Sequence, residues 1–225
     1  MTITDYILSK TNRLTISPEI TPGDHGFSMF NDAGTEVEVS ELLYSLTKVV
    51  KPKLLLETGT HVGVSSTYLA QGIKENNNGG KLLTFEIIPV HLNNAKLLWQ
   101  EVGVENVIEA KLQSALDFEP RDIEFDMLFL DSEPQLRFDE FVKYWPNLKP
   151  GGIIAIHDLH PSMGHHGQVW HGQYDWPYGD FRLKLGPFIK EHQVQVIHPL
   201  TPRGLSIFQK TRAEFEVTKY LVEGN

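Results

Sequence analysis

Two carboxylates stand at the ends of apolar runs, and their placement indicates chemistry. One run ends in Glu57 and a second in Glu86, and Gly59 and Gly63 follow the first acid. Glycines let a backbone turn tightly and approach a ligand closely. At the carboxyl edge of a parallel sheet, the next helix presents free N–H groups, and an acid on the neighbouring strand can accept the hydroxyls of a ribose. The pattern therefore predicts a site for a nucleoside-containing cofactor.

The spacing of these residues distinguishes between classes of nucleotide site. The sequence reads Glu57-x-Gly59-x-x-x-Gly63-x-Ser65, and it lacks the G-x-G-x-x-G pattern of nicotinamide and flavin sites. An acid two residues before the first glycine suits a ligand that carries an amino group near the turn. Because the pattern offers no pyrophosphate cradle, it argues against an NAD-dependent oxidoreductase.

With this motif, the sequence resembles class I S-adenosylmethionine-dependent methyltransferases. It is similar in particular to small-molecule O-methyltransferases of the catechol O-methyltransferase kind and their bacterial relatives. The resemblance covers about residues 39–210 and includes the phrases FDMLFLD and GGIIAIHD. It implies S-adenosylmethionine as the cofactor. The residues that it places at the cofactor are Glu57, Gly59, Thr60, Gly63 and Ser65 for the methionine half, Glu86 for the ribose, Ile87 and Ser114 near the adenine, and Asp131 beside them.

Two further acids, Asp131 and Asp158, also follow apolar runs and end neighbouring strands of the predicted sheet. Two carboxylates that converge beside a cofactor can hold a divalent cation, which would lower the pKa of a bound substrate hydroxyl. The resemblance implies metal ligands at these two positions. However, Leu159 replaces the asparagine that is the third ligand there, and Pro134 replaces the catalytic lysine. Mg2+ or another divalent cation is therefore one alternative, with His160 as a substitute ligand.

The other alternative is a metal-free general base near Asp158. Five of the ten histidines fall within residues 157–171, in a long loop that also contains aromatic residues. Loops of this length in compact domains are usually functional or disordered, and an imidazole suits removal of a proton from a hydroxyl. We predict His160 as the base, with Asp158 and His157 as further catalytic candidates. His157 alternates with the buried Ile156, so its side chain can instead point into the sheet.

Hydrophobic periodicity predicts the elements that must position these residues. Strands alternate with helices, which indicates an α/β fold: a Rossmann-like, doubly wound, seven-stranded mixed sheet with a C-terminal antiparallel hairpin strand. The predicted strands are 53–57, 81–86, 107–112, 125–130, 151–157, 194–197 and 205–209. The predicted helices are one capped by Ser40, one over 63–74, one that begins at Pro89, one around 138–145 and one over 181–191.

The chain is predicted to divide into three parts. Residues 1–34 contain several prolines and glycines without a sustained period, so we expect an irregular N-terminal arm or a lid over the site. Residues 35–210 form the predicted methyltransferase domain, and residues 211–225 form a C-terminal tail.

Composition narrows the classes of partner. The 225 residues carry a formal net charge of −9 without clustered Lys and Arg, which disfavours nucleic acid as a partner. They include no cysteine and no apolar run of the roughly 18 residues that a membrane span needs. We therefore expect a soluble, cytoplasmic protein with a small-molecule acceptor and no membrane partner. A homodimer, formed through the arm or the aromatic loop, stays open.

The leading hypothesis is S-adenosylmethionine-dependent methyl transfer to a hydroxyl of a small molecule, such as a sugar or a natural-product-like acceptor. Two alternatives stay open. The first is an N-methyltransferase that acts on a small amine, and the second is a catalytically silent cofactor-binding domain.

Overall fold

The structure is a computed structural model, and it describes residues 2–10, 14–16, 27–30, 34–158, 189, 194–199, 201 and 204–211. Its helices are α1 (Ile3–Lys10), α2 (Val37–Val50), α3 (Val64–Asn76), α4 (Pro89–Val102) and α5 (Arg137–Tyr144). Its strands are β1 (Leu14–Ile16), β2 (Phe27–Met29), β3 (Leu54–Thr58), β4 (Lys81–Glu86), β5 (Ile108–Leu112), β6 (Phe125–Leu130), β7 (Leu148–His157), β8 (Val194–Ile197) and β9 (Leu205–Lys210).

Seven strands form one mixed sheet in the order β5-β4-β3-β6-β7-β9-β8. The strands from β5 to β7 are parallel, whereas β9 runs antiparallel to both of its neighbours, β7 and β8. This arrangement confirms the predicted fold class, including the C-terminal hairpin strand. Strands β1 and β2 pair separately as a short antiparallel ribbon.

The direction of winding reverses between β3 and β6. From β3 the chain adds β4 and β5 on one side, and it then returns to place β6 on the other side of β3. In open α/β sheets, ligands bind beyond the carboxyl ends of the strands at such a switch point. The fold therefore presents the ends of β3, β4, β6 and β7 as one edge, which we call the catalytic edge.

The central strands are buried on both faces. In β6, Leu128 and Leu130 belong to one apolar cluster, and Met127 and Phe129 belong to another on the opposite face. All four side chains have no exposed surface. A parallel strand covered on both sides needs this continuous apolar sequence, and the run fixes the end of β6 directly before Asp131.

Two predictions about the N-terminal part are wrong. Helix α2 begins at Val37 rather than after Ser40, whose buried hydroxyl donates to the carbonyl oxygen of Glu36 at 3.0 Å instead of capping the helix. The arm is also not irregular throughout, because residues 3–10 form α1. That helix is held in place by Ile7, which is fully buried in a cluster with side chains of α2, α3 and α4.

The other predicted elements agree with the structure wherever it describes them. Strands β4, β6 and β8 have the predicted bounds, and β7 begins earlier than predicted, at Leu148. The predicted helix over 181–191, apart from the helical residue 189, lies outside the described residues. So do the loop from residue 159 to residue 180, which includes His160, and most of residues 211–225. None of the described helices combines the length and the apolar character that a membrane crossing requires.

Candidate active site

Glu57, near the end of β3, is fully buried and held by hydroxyl groups. Its Oε1 accepts a hydrogen bond from Ser65 Oγ at 2.6 Å, and its Oε2 accepts one from Thr84 Oγ1 at 2.6 Å. Burial raises the pKa of this carboxyl group to about 8, although the hydroxyl donors act in the opposite direction. The structure therefore places beside the first turn of α3 a buried carboxyl group that holds its proton more tightly than an exposed glutamate would.

Two glycines shape the turn that follows Glu57. Gly59 has φ of +79°, and a Cβ atom there would lie 2.3 Å from the carbonyl oxygen of Asp131. Gly63 has φ of +85°, and a Cβ atom there would lie 2.8 Å from Cβ of Ala95 in α4. Both positions therefore require glycine for two reasons, the left-handed backbone and the close approach of a neighbour.

Glu86, at the end of β4, accepts hydrogen bonds from three backbone N–H groups. Its Oε2 accepts from His61 at 2.6 Å, and its Oε1 accepts from Ile87 at 2.8 Å and Ile88 at 2.9 Å. These bonds fix the carboxylate at the catalytic edge beside the turn that contains Gly59. The side chain of Ile87 is 61% exposed, so its apolar surface is available there.

Ser114 lies beyond β5 and begins a short 3-10 turn. Its Oγ accepts a hydrogen bond from the backbone N–H of Leu116 at 3.2 Å. This contact is an ordinary N-cap, and it positions Ser114 at the same sheet edge as Glu86.

A small cavity lies where the ends of β3 and β6 meet. It has a volume of about 30 Å3, and its lining includes Gly34, Thr35, Gly59, Thr60 and Asp131. The hydroxyl of Thr35 donates to Oδ2 of Asp131 at 2.7 Å. The segment directly before α2 therefore forms one wall of the space that the glycine turn opens.

Arg137, the first residue of α5, joins the ends of β6 and β7. Its Nε and Nη2 donate to the carbonyl oxygen of Ser132, and Nη2 also donates to Oδ1 of Asp131 at 3.0 Å. Its Nη1 donates to the carbonyl oxygen of His157 at 2.5 Å and to Oδ2 of Asp158 at 2.8 Å. The residue is only 4% exposed, so this is a buried cation paired with two carboxylates.

His157 lies between two carboxylates with 1% of its surface exposed. Its Nε2 is 2.6 Å from Oε2 of Glu36, and its Nδ1 is 3.0 Å from Oδ1 of Asp131. Both ring nitrogens can donate to carboxylate oxygens only in the imidazolium form. Burial alone would lower the pKa of His157, but the charges of Asp131, Asp158 and Glu36 raise it to about 10.

These contacts change the roles expected for the catalytic candidates. A buried imidazolium already carries a proton on each ring nitrogen at neutral pH and cannot accept another, so His157 does not fit the role of general base. Its side chain points into the protein, as its alternation with the buried Ile156 allowed. Asp158 is at the catalytic edge with a positive φ of 52° and is ion-paired with Arg137.

Sequence reasoning missed three residues of this network: Thr35, Glu36 and Arg137. Arg137 carried one available signal, because a cation in the first turn of a helix opposes the helix dipole and needs acids nearby. Thr35 and Glu36 carried no comparable signal. Glu36 lies 121 residues from His157 in sequence, so only the tertiary fold brings the two together.

The predicted cation site was tested against this geometry. One ligand atom each from Asp131, His157 and Asp158 lies within 4.8 Å of the other two. However, both carboxylates are already paired with the Arg137 guanidinium, and Nδ1 of His157 lies in hydrogen-bond contact with Oδ1 of Asp131. As arranged, these three residues do not fit a divalent cation. His160, the substitute ligand, lies outside the described residues.

Comparison with known proteins shows which sequences and folds this chain resembles. Residues 56–159 match the sequence model of a family described as a methyltransferase domain. An inferred O-methyltransferase from Mycobacterium avium (strain 104) is 33% identical over 123 residues, which are 53% of this chain and 54% of that protein. The chain thus spans about half the length of the curated relatives it matches.

Solved structures share the fold at lower sequence identity. The O-methyltransferase TomG from Streptomyces achromogenes, solved in complex with SAM, has a TM-score of 0.66 at 21% identity, over 80% of this chain and 83% of that chain. An O-methyltransferase from Bacillus cereus, solved in complex with SAH, has a TM-score of 0.65 at 18% identity, over 81% and 84%. The match over residues 56–159 and these shared folds confirm the resemblance to methyltransferases that the sequence motifs indicated.

Proposed function

We propose that this chain is an S-adenosylmethionine-dependent methyltransferase that acts on a hydroxyl of a small molecule. The observation that best supports this proposal is the geometry of the catalytic edge. There the Gly59 turn lies between two carboxyl groups held by hydrogen bonds, Glu57 and Glu86. Both lie within the residues that match the methyltransferase domain model. The two similar O-methyltransferases solved with SAM and SAH support the same cofactor for this chain.

Each cofactor residue has a chemical role in this proposal. The carboxyl group of Glu57, with Ser65 beside it, would receive the ammonium group of the methionine half. Because Glu86 is held by backbone N–H groups, its oxygens are already oriented to accept ribose hydroxyls. The exposed face of Ile87 would pack on the adenine, and Ser114 would lie near it.

The bound cofactor would supply a methyl group on a positively charged sulfur, which is already activated for transfer. The acceptor oxygen would form a bond to the methyl carbon while the carbon–sulfur bond breaks, and the electron pair of that carbon–sulfur bond would stay with sulfur. Much of the rate comes from holding these three atoms in line. We propose His160, two residues beyond Asp158, as the base that takes the hydroxyl proton.

Calorimetric titration with S-adenosylhomocysteine tests the cofactor assignment. We expect micromolar binding by the unchanged protein and a loss of roughly tenfold or more in Glu86→Gln, because about one ribose hydrogen bond is weakened. Glu119→Gln is the matched control, because that exposed glutamate is ion-paired with Lys143 of α5 rather than with residues of the turn. Absence of binding would overturn the proposal.

Methyl transfer is then measured with labelled S-adenosylmethionine and a panel of sugars and natural-product-like alcohols. Label in an ether product supports the proposal, and His160→Ala should slow its formation. Label in an amine product would favour the N-methyltransferase alternative. Tight cofactor binding without turnover on any acceptor would favour a catalytically silent domain. A cytoplasmic location, a homodimer and the lack of a nucleic-acid partner stay predictions from the sequence.

A further inference from the structure

We propose that Arg137 is the resident cation of the catalytic edge and that methyl transfer in this site needs no divalent metal ion. This inference rests on the proposed function for its kinetic part, whereas its metal-binding part can be tested on the protein alone. Arg137 acts as a positioning residue, because it holds Asp131 and Asp158 rather than contacting the acceptor.

The guanidinium of Arg137 is built into the fold. An arginine has five N–H donors, and Arg137 makes five hydrogen bonds to oxygens of the described residues. The acceptors come from the residues that directly follow β6 and from the end of β7. A lysine could not reproduce this planar fork. The number of bonds indicates a site shaped for a guanidinium rather than a surface ion pair.

The same bonds use the oxygens that a metal would need. Oδ1 of Asp131 lies 3.0 Å from Nη2 of Arg137 and 3.0 Å from Nδ1 of His157, and Oδ2 accepts from Thr35. Oδ2 of Asp158 lies 2.8 Å from Nη1 of Arg137. Mg2+ and Ca2+ require oxygens at about 2.0–2.6 Å. A bound ion would therefore displace these donors and stand next to a permanently charged guanidinium.

The location of Arg137 on its helix supports a dedicated role. It is the first residue of α5, where the partial positive charge of the helix N-terminus disfavours a cation. Pairing with Asp131 and Asp158 offsets that cost.

Metal binding by the cofactor-free, chelator-treated protein is the direct test. We would titrate Mn2+ and follow its electron paramagnetic resonance signal, with Mg2+ titration by calorimetry. The unchanged protein should show no saturable binding below about millimolar concentration. Arg137→Met should gain a Mn2+ site, because it removes the guanidinium that pairs with both Asp131 and Asp158. Arg121→Gln, at an exposed turn, is the matched control and should behave like the unchanged protein.

Two outcomes would contradict the inference. Saturable micromolar Mn2+ binding by the unchanged protein, lost in Asp131→Asn, would overturn it. A folded Arg137→Met protein that gains no Mn2+ binding would overturn the role of Arg137. If that variant does not fold, Arg137→Lys replaces it, and we expect intermediate Mn2+ affinity because the ammonium cannot bridge both acids.

The kinetic arm compares methyl-transfer rates with excess chelator and with added Mg2+. We expect rates that agree within about twofold, and a chelator effect of tenfold or more that Mg2+ reverses would overturn the inference. If no acceptor is turned over and no cofactor binds, the proposed function fails. The Mn2+ titration then still decides the role of Arg137, so the two failures are distinguishable.

Discussion

Thr35 Oγ1 donates a 2.7 Å hydrogen bond to Oδ2 of Asp131, and this contact joins the segment before α2 to the carboxyl end of β6. Both residues line the cavity of about 30 Å3 beside Gly59. Pockets for ligands of cofactor size commonly have volumes of several hundred Å3. We therefore expect the segment around Thr35 to move when the cofactor enters.

Replacing Thr35 by Val should ease that movement. The variant loses the bond to Asp131 but keeps a similar volume, so we expect S-adenosylhomocysteine to associate roughly two- to fivefold faster, because a neutral hydrogen bond contributes about 1 kcal/mol. Stopped-flow fluorescence measures the rate. Thr4→Val, which loses contacts with Glu41 and Tyr68 outside the site, is the control. An equal or slower rate in Thr35→Val would contradict the prediction.

Gly59 and Gly79 offer a matched pair for the glycine turn. Both have positive φ, of +79° and +75°, but a Cβ atom at Gly79 would have no heavy atom within 4 Å. Gly79→Ala should therefore cost about 1 kcal/mol of unfolding free energy, from backbone strain alone. Gly59→Ala should cost more, roughly 2–4 kcal/mol, because its Cβ would overlap the Asp131 carbonyl.

Urea unfolding of both alanine variants gives these free energies, and calorimetry gives their cofactor affinity. We expect Gly79→Ala to bind S-adenosylhomocysteine normally and Gly59→Ala to lose binding. Equal losses of unfolding free energy in the two variants would show that the close approach of Gly59 to the end of β6 does not add to the cost of the alanine.

Glu57 should make stability fall with rising pH. Its pKa is about 8 in the folded protein, above the ordinary 4.5, so the folded state binds the proton more tightly than the unfolded state. Stability relative to Glu57→Gln should therefore decrease as pH rises from about 4.5 to 8, by roughly 2–5 kcal/mol. Urea unfolding of both proteins at several pH values measures this difference. A difference that is constant with pH would contradict the prediction.

His157 should affect the free energy of unfolding over a higher pH range than Glu57 does. Its pKa is raised from 6.5 to about 10 in the folded protein, so its charge contributes full stability below pH 6.5. That contribution should disappear as pH rises from about 6.5 to 10, by roughly 2–5 kcal/mol relative to His157→Gln. Thermal unfolding across this range measures it. An imidazole that titrates near 6.5 by nuclear magnetic resonance would contradict the charged state.

The elements best predicted from the sequence are those whose limits depend on local pattern. The apolar run of β6 ends at Asp131, and that of β4 begins after two glycines, so both strands have their predicted bounds. Ser40 failed as a helix start because Val37 and Val39 bury apolar side chains one turn earlier. That burial outweighs a capping preference of about 1 kcal/mol.

The site was predicted only in part for a physical reason. Glu57, Gly59 and Glu86 are set by strand ends and a turn, which are local features. The pairing of Arg137 with Asp158, and of His157 with Glu36, depends on segments that meet only in the folded sheet. Sequence spacing does not indicate such contacts. The hypothesis of a metal site therefore did not take into account Arg137, which pairs with the same carboxylates.

The contact between Glu36 and His157 also bears on the size of the cooperative unit. The segment that matches the methyltransferase family begins at residue 56. However, Glu36, the charge partner of the last residue of β7, lies twenty positions before that start. A fragment limited to residues 56–159 would contain the buried imidazolium without Glu36, and β7 without its neighbour β9. The segment that matches the family model is therefore smaller than the part of the chain whose contacts balance these buried charges.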